Sequence, residues 1–162
     1  MESPPAGVIK INWDASLNVS KGWIGLGIIA RDSSGFCLGA RSVAKQVQVL
    51  PKRAEILVAL QAVQFSKDAG FMEVIFEGDA AQVVKEIQTE HHFFSWIGHL
   101  LEFIHSEMRS FRTASFSFVP RACNQAADTL AKEASHFSSD FCWLEETPSC
   151  VSDIIFREQC CP

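Results

Sequence analysis

The chain has 162 residues and a mass of 18.0 kDa, 48% apolar and 20% charged, which fits one domain with enough material for a core and excludes a disordered polymer. Nineteen acidic against fourteen basic residues leave a formal charge of −5, a balance that by itself argues against a nucleic-acid partner, whose phosphates favour basic surfaces. The longest apolar run, Trp23 to Ala30, is eight residues, too short to cross a bilayer, so no membrane association is expected.

Residues 1–7 contain two prolines and no basic-then-apolar secretory pattern, and read as a disordered lead. From Val8 to Asp14 apolar and polar residues alternate, with Ile9, Ile11 and Trp13 on one face and Lys10, Asn12 and Asp14 on the other. That is a strand with one face against a core. Gly22 to Ala30 predicts a second strand, Asp32 to Gly35 a turn, and Phe36 to about Val49 a third strand, together an antiparallel meander. Pro51 suits the first turn of a helix that Gly70 ends. Glu73 to Glu77 is a fourth strand leading into Gly78 and Asp79. A second helix is expected over 80–90, a third over 96–111, a fifth strand over 114–119, and a last helix over 125–136 with Asn124 as its cap. A meander followed by strand–helix crossovers implies an α/β domain, a mixed five-stranded sheet flanked by helices, over residues 8–137, with a tail over 138–162.

Charge is unevenly spread. Residues 1–53 hold seven bases and three acids, and residues 54–162 hold seven bases and sixteen acids. Such asymmetry permits a basic face on an acidic protein. Cys37 and Cys123 stand singly in apolar contexts, while Cys142, Cys150, Cys160 and Cys161 crowd the end of the chain at spacings that match no common zinc site. Free thiols in a reducing intracellular compartment, nucleus or cytoplasm, are the expectation.

Histidine chemistry is poorly served: His91 and His92 fall in a break, and His99 and His105 on the third helix. There is no nucleophile elbow and no Walker-type loop, and Gly22, Gly25 and Gly27 lie in a meander strand rather than at a strand-to-helix turn. Carboxylates are more informative. Asp14 ends the first strand and Asp79 follows the fourth, and parallel pairing of those strands would make them neighbours. Glu55 would point from the first turn of the first helix and Asp128 from that of the last. Four converging carboxylates repel unless cations neutralise them, and oxygen-only ligands select hard ions such as Mg²⁺ or Mn²⁺. Two such ions would orient a water and stabilise the leaving oxygen in phosphodiester cleavage. Each residue also has a plainer use: Asp14 as a polar strand end, Glu55 and Asp128 as acids near helix N-termini, Asp79 as a helix cap.

The segments Ile11-Asn-Trp-Asp14, Ala54-Glu55, Glu77-Gly-Asp79 and Asn124-Gln-Ala-Ala-Asp128-Thr-Leu-Ala, in that order, resemble ribonuclease H of type 1. The likeness is nearest to the ribonuclease-H-like domain of plant retroelement polyproteins and their domesticated relatives, and covers about Val8 to His136. The ending Trp143-Leu-Glu-Glu-Thr-Pro is similar to that group as well. The resemblance implies a ribonuclease H-like fold with strand order 3-2-1-4-5 and hydrolysis of the RNA strand of RNA–DNA hybrids at a site with two Mg²⁺ ions, Mn²⁺ being the alternative. Asp14, Glu55, Asp79 and Asp128 would be its catalytic metal ligands, with Glu55 near the ribose 2′-hydroxyl. Lys52, Arg53 and Asn124 would contact the nucleic acid. A monomer is expected, either free-standing or within a larger polyprotein.

Three departures bear on activity. Ten residues before Asp128, where active members carry a histidine, stands Phe118, which can neither accept nor relay a proton, so slow turnover is expected. Ala80 replaces a serine that contacts DNA phosphate, and Pro51 cannot donate the hydrogen bond expected ahead of the catalytic glutamate. The segment 90–95 is short and neutral, resembling forms without a basic hybrid-binding protrusion; Phe93, Phe94 and Trp96 could stack on bases or pack at a helix edge. The alternative function is a domesticated nucleic-acid-binding module with little turnover, and a third is a structural domain of a polyprotein.

Overall fold

The computed structural model describes residues 4–89 and 94–160. His91, His92, Phe93 and Cys161 lie outside the described residues. Nine elements carry the predicted order: β1 (Ile9–Asn18), β2 (Trp23–Arg31), β3 (Cys37–Gln46), α1 (Pro51–Asp68), β4 (Glu73–Gly78), α2 (Ala81–Gln88), α3 (Trp96–Met108), β5 (Thr113–Phe118) and α4 (Gln125–Phe137); β6 (Phe141–Leu144) and α5 (Ser152–Cys160) follow beyond them.

The expected meander is present: β1 pairs antiparallel with β2 and β2 with β3. The Asp32 carboxylate accepts the Ser34 and Phe36 N–H groups at 2.9 Å each, forming the predicted turn between β2 and β3. After the α1 crossover, β4 adds parallel to β1, and β5 adds parallel to β4. The sheet therefore follows the expected order, but it has six strands, β5-β4-β1-β2-β3-β6. The sixth corrects the five-stranded expectation. Phe141–Leu144 lies in the stretch read as a tail, and its four residues are too few for periodicity to register, yet they cover the edge of β3 through pairs from Gly39–Leu144 to Ser42–Phe141.

Alternation along β1 and β2 divides the molecule into two packed layers. Ile11, Trp13, Ile24, Leu26 and Ile28 join Ala54, Val58, Ala62 and other buried residues of α1 in the main core. On the opposite face Ile29 and Ala40 meet Ala126 and Leu130 of α4, together with Val151 and Ile155 from the C-terminal segment. Burial of this kind stabilises by about 25 cal/mol per Å² of apolar surface removed from water. No helix among the described residues is long and apolar enough to cross a membrane.

Candidate active site

The parallel β1–β4 register brings Asn12 opposite Glu77, so the chain positions that follow, Asp14 and Asp79, leave the same end of the sheet. Glu55 enters from α1. It belongs to the helix's second turn rather than its first, which holds no acid. Asp128 is in the first turn of α4, as expected. The cap role open to Asp79 is not taken: Ala80 is the N-cap of α2, with no side-chain cap bond.

The four carboxyls act on one another. Burial first, then the charges of Asp79 and Asp128, push the Asp14 carboxyl up from 3.8 to about 8. A hydrogen bond to Asp128 further favours its protonated form. Burial, then the charges of Asp14 and Asp79, push Glu55 up from 4.5 to about 9. Glu55 Oε2 is buried with no hydrogen-bond partner. An orphaned buried carboxylate oxygen near two like charges is a group whose cost a cation would offset.

Cations of the chain already reach this cluster. Lys132 Nζ lies 2.6 Å from Asp128 Oδ2, and an Arg121 guanidinium nitrogen lies 3.4 Å from Oδ1. Arg121 also eases the ionisation of Glu55. Neither residue stood out in the sequence as part of the site, although Lys132, four residues after Asp128 on a helix, has the spacing of an ion pair. Among the described residues no three His, Cys, Asp or Glu side chains are gathered closely enough to enclose an ion. Asp128 is drawn toward Lys132 and Arg121 instead. The donor set nevertheless fits a hard divalent ion: carboxylate oxygens only, one of them unbonded.

The residues expected to meet nucleic acid are placed differently. Lys52 is paired with Glu86 at 2.5 Å. The Arg53 guanidinium lies over the Trp96 ring, 3.4 Å from its centroid, a cation–π contact between α1 and α3. Asn124 is 1% exposed. It is the N-cap of α4 by position but makes no side-chain cap bond. Its amide instead donates to Trp13 O at 3.0 Å and its oxygen accepts from Asn12 at 3.3 Å. A buried amide engaged at both ends ties α4 to β1 and has no face left for a phosphate. Phe118 is half-exposed at the end of β5, Phe94 is fully exposed, and Trp96 is half-exposed beneath Arg53.

Three glycines make the site's close approaches. A Cβ on Gly78 would fall 2.4 Å from the Trp13 ring, which explains the small residue ahead of Asp79. A Cβ on Gly25 or Gly27 would collide with the backbone of α4. The glycines that do not mark a dinucleotide loop are thus the seat of the helix that carries Asp128.

A mixed sheet with this strand order, flanked by these helices and carrying carboxyls at the ends of β1 and β4, is the ribonuclease H fold. The structure resembles ribonuclease H1 from the halophilic archaeon Halobacterium salinarum NRC-1, with a TM-score of 0.72 and 19% identity over 82% of this chain and 99% of that one. It resembles the N-terminal ribonuclease H domain of a Mycobacterium tuberculosis protein, with a TM-score of 0.72 and 20% identity over 81% and 95%. It is also similar to LC11-RNase H1 in complex with RNA/DNA hybrid, with a TM-score of 0.69 and 22% identity over 80% and 98%. No curated protein matches. The chain belongs to the reverse transcriptase-like family, whose sequence model matches residues 12–134.

Proposed function

We propose that this protein is a divalent-metal-dependent endonuclease that hydrolyses the RNA strand of RNA–DNA hybrids. The observation that carries the reading is the convergence of Asp14 and Glu55 with Asp79 and Asp128, where burial and mutual repulsion hold two carboxyls far above their ordinary range. The structural likeness to a ribonuclease H1 in complex with RNA/DNA hybrid supports the substrate class.

Asp14, Glu55, Asp79 and Asp128 would hold Mg²⁺, with Mn²⁺ as the alternative. When bound, such ions supply positive charge to the phosphodiester and its leaving oxygen. The chain's own groups do the rest. Without a cation, Glu55 keeps its proton at neutral pH, since its carboxyl is pushed up to about 9. Asp128, 2.6 Å from Lys132, would share its charge between that ammonium and a bound cation, and Lys132 would be close enough to meet a backbone phosphate. Arg121, three-quarters exposed beside Asp128, is placed to meet a second phosphate. Exposed Phe118 offers no proton transfer at the end of β5, and turnover is accordingly slow.

Phe118 also favours a second reading, a binding module derived from such an enzyme. A labelled RNA–DNA hybrid with Mg²⁺ separates the two. The enzyme cuts the RNA strand and spares RNA and DNA duplexes, Asp79→Asn nearly abolishes cutting, and Phe118→His raises it. A protein that retains the hybrid intact, with salt-dependent affinity, is the binding module. The plant retroelement origin rests on the sequence motifs. Residence in a reducing intracellular compartment rests on the sequence spacing of the cysteines, which matches no disulfide framework.

A further inference from the structure

A polar chain runs through the buried layer between the sheet and α4. Arg31, 3% exposed in β2, is ion-paired with Glu158 of α5, and its other terminal nitrogen donates to Asn12 Oδ1 at 2.7 Å. Asn12, fully buried in β1, donates in turn to Glu77 Oε2 and to Asn124 Oδ1, both at 3.3 Å. Glu77 is also paired with the buried Lys10 at 3.1 Å. Asn124 closes the chain on Trp13 O at 3.0 Å.

One end of this network stands beside the carboxyls of the site. Trp13 precedes Asp14. Glu77 is two residues before Asp79, at the end of β4. The Asn124 carbonyl accepts the Asp128 N–H at 3.1 Å, the first bond of α4. At the other end is α5, anchored in the smaller core by its Ile155 and by Val151 just ahead of it. Arg31 and Lys10 face Glu158 and Glu77, and all but Glu158, which is 19% exposed, are buried. A buried ion pair is weak support for stability compared with apolar packing, but its directional bonds hold geometry, and breaking one side leaves a buried charge without compensation.

We infer that Glu158 and Arg31 are positioning residues: through Asn12, the C-terminal helix α5 sets the spacing of the strand and helix ends that carry Asp14, Asp79 and Asp128. This rests on the proposed metal-dependent site and extends it to a segment outside the family match, which ends at residue 134. Groups that orient metal ligands from behind typically change metal affinity about 10–100-fold when removed.

The test uses the full chain and Mn²⁺ as the probe, titrated calorimetrically without nucleic acid, alongside hybrid cleavage. Glu158→Leu is expected to weaken Mn²⁺ binding about tenfold and lower kcat, with KM for the hybrid unchanged, because Glu158 meets neither ion nor substrate. Glu158→Gln keeps an acceptor for Arg31 and should retain most of the parent's affinity. If Glu158→Leu folds poorly, the Arg31→Met/Glu158→Leu pair removes both charges and is measured well below its own melting temperature; weakened Mn²⁺ binding in that folded protein supports positioning. Parent-like Mn²⁺ affinity and kcat in either folded variant overturns it. A parent chain that neither binds Mn²⁺ nor cuts hybrid overturns the underlying reading of the site instead, so the two failures are distinct.

Discussion

The carbonyl oxygen of Ala127 occupies the place where a Cβ of Gly27 would be, 2.1 Å from that position. Gly27 is also the cross-strand partner of Asp14, and Ala127 directly precedes Asp128. The missing side chain lets the helix bearing one carboxyl settle onto the strand bearing the other. In Gly27→Ala, α4 must lift away, because the obstacle is backbone rather than a flexible side chain. Stability should fall by about 3 kcal/mol or more, beyond ordinary overpacking, and any protein that folds should lose divalent-ion affinity. Chemical denaturation read beside Mn²⁺ titration checks both; an unchanged midpoint would show that α4 does not need this seat.

Gly78 makes the same kind of contact on the other side of the site. Gly78→Ala drives a methyl into the Trp13 indole, 2.4 Å from its nearest atom, and must displace either Trp13 or the turn into Asp79. We expect a loss of about 1–3 kcal/mol, together with a shift in Trp13 fluorescence. Both should be larger than for Gly70→Ala, whose Cβ would meet nothing within 4 Å although its φ of +75° adds some strain of its own.

The pH dependence has a definite sign. The folded carboxyls of Asp14 and Glu55 lie at about 8 and about 9, against ordinary values of 3.8 and 4.5. Between these limits the folded protein holds protons that the unfolded chain has released, so stability is greatest below the ordinary values and falls as pH rises through the folded ones. Without divalent ions, the melting temperature should drop from about pH 5 to pH 9. Mg²⁺ should restore it most at the alkaline end. Glu55→Gln, neutral at every pH and close in shape, should flatten the slope and abolish cleavage; a slope unchanged by this substitution would remove Glu55 from the cluster.

Lys132 competes for Asp128. Its ammonium, 2.6 Å from Oδ2, stands where extra positive charge is wanted, yet the pair is half-open to solvent on the lysine side and contributes at most about 0.5 kcal/mol. Lys132→Met should therefore cost little stability while tightening Mn²⁺ binding several-fold, since the incoming ion no longer displaces an internal one. Weaker binding in this variant would mean that Lys132 orients Asp128 for the ion rather than competing with it.

Much of the architecture was legible in the residues. Alternation along Ile9 to Asp14, Pro51 and Gly70 as bounds of α1, and the strand ending at Gly78 all report local burial, which recurs at the period of the element. Asp14, Glu55, Asp79 and Asp128 were singled out by the motifs that resemble ribonuclease H; spacing alone left each of them a plainer use at a strand end or near a helix N-terminus. Other features had no such signal. β6 was hidden by its four-residue length. The inward turn of Asn124, the stacking of Arg53 on Trp96 and the pairing of Lys52 with Glu86 depend on partners from 34 to 112 positions away.

The chain order of strands and helices and the chemistry of four carboxyls are therefore properties of the sequence itself, set by side-chain type and short-range periodicity. Their convergence is a property of the tertiary structure alone. It required parallel pairing of β1 with β4, a helix seated on bare glycine backbone, and a buried polar chain from Glu158 to Asn124. The physical reason is that contacts between distant segments are decided by which surfaces can pack without a Cβ in the way and which buried polar groups can find partners. The formal charge of −5 shows the same division: composition made nucleic acid look unsuitable, and only the fold brought Asp14 within reach of the charges of Asp79 and Asp128, and Glu55 within reach of those of Asp14 and Asp79.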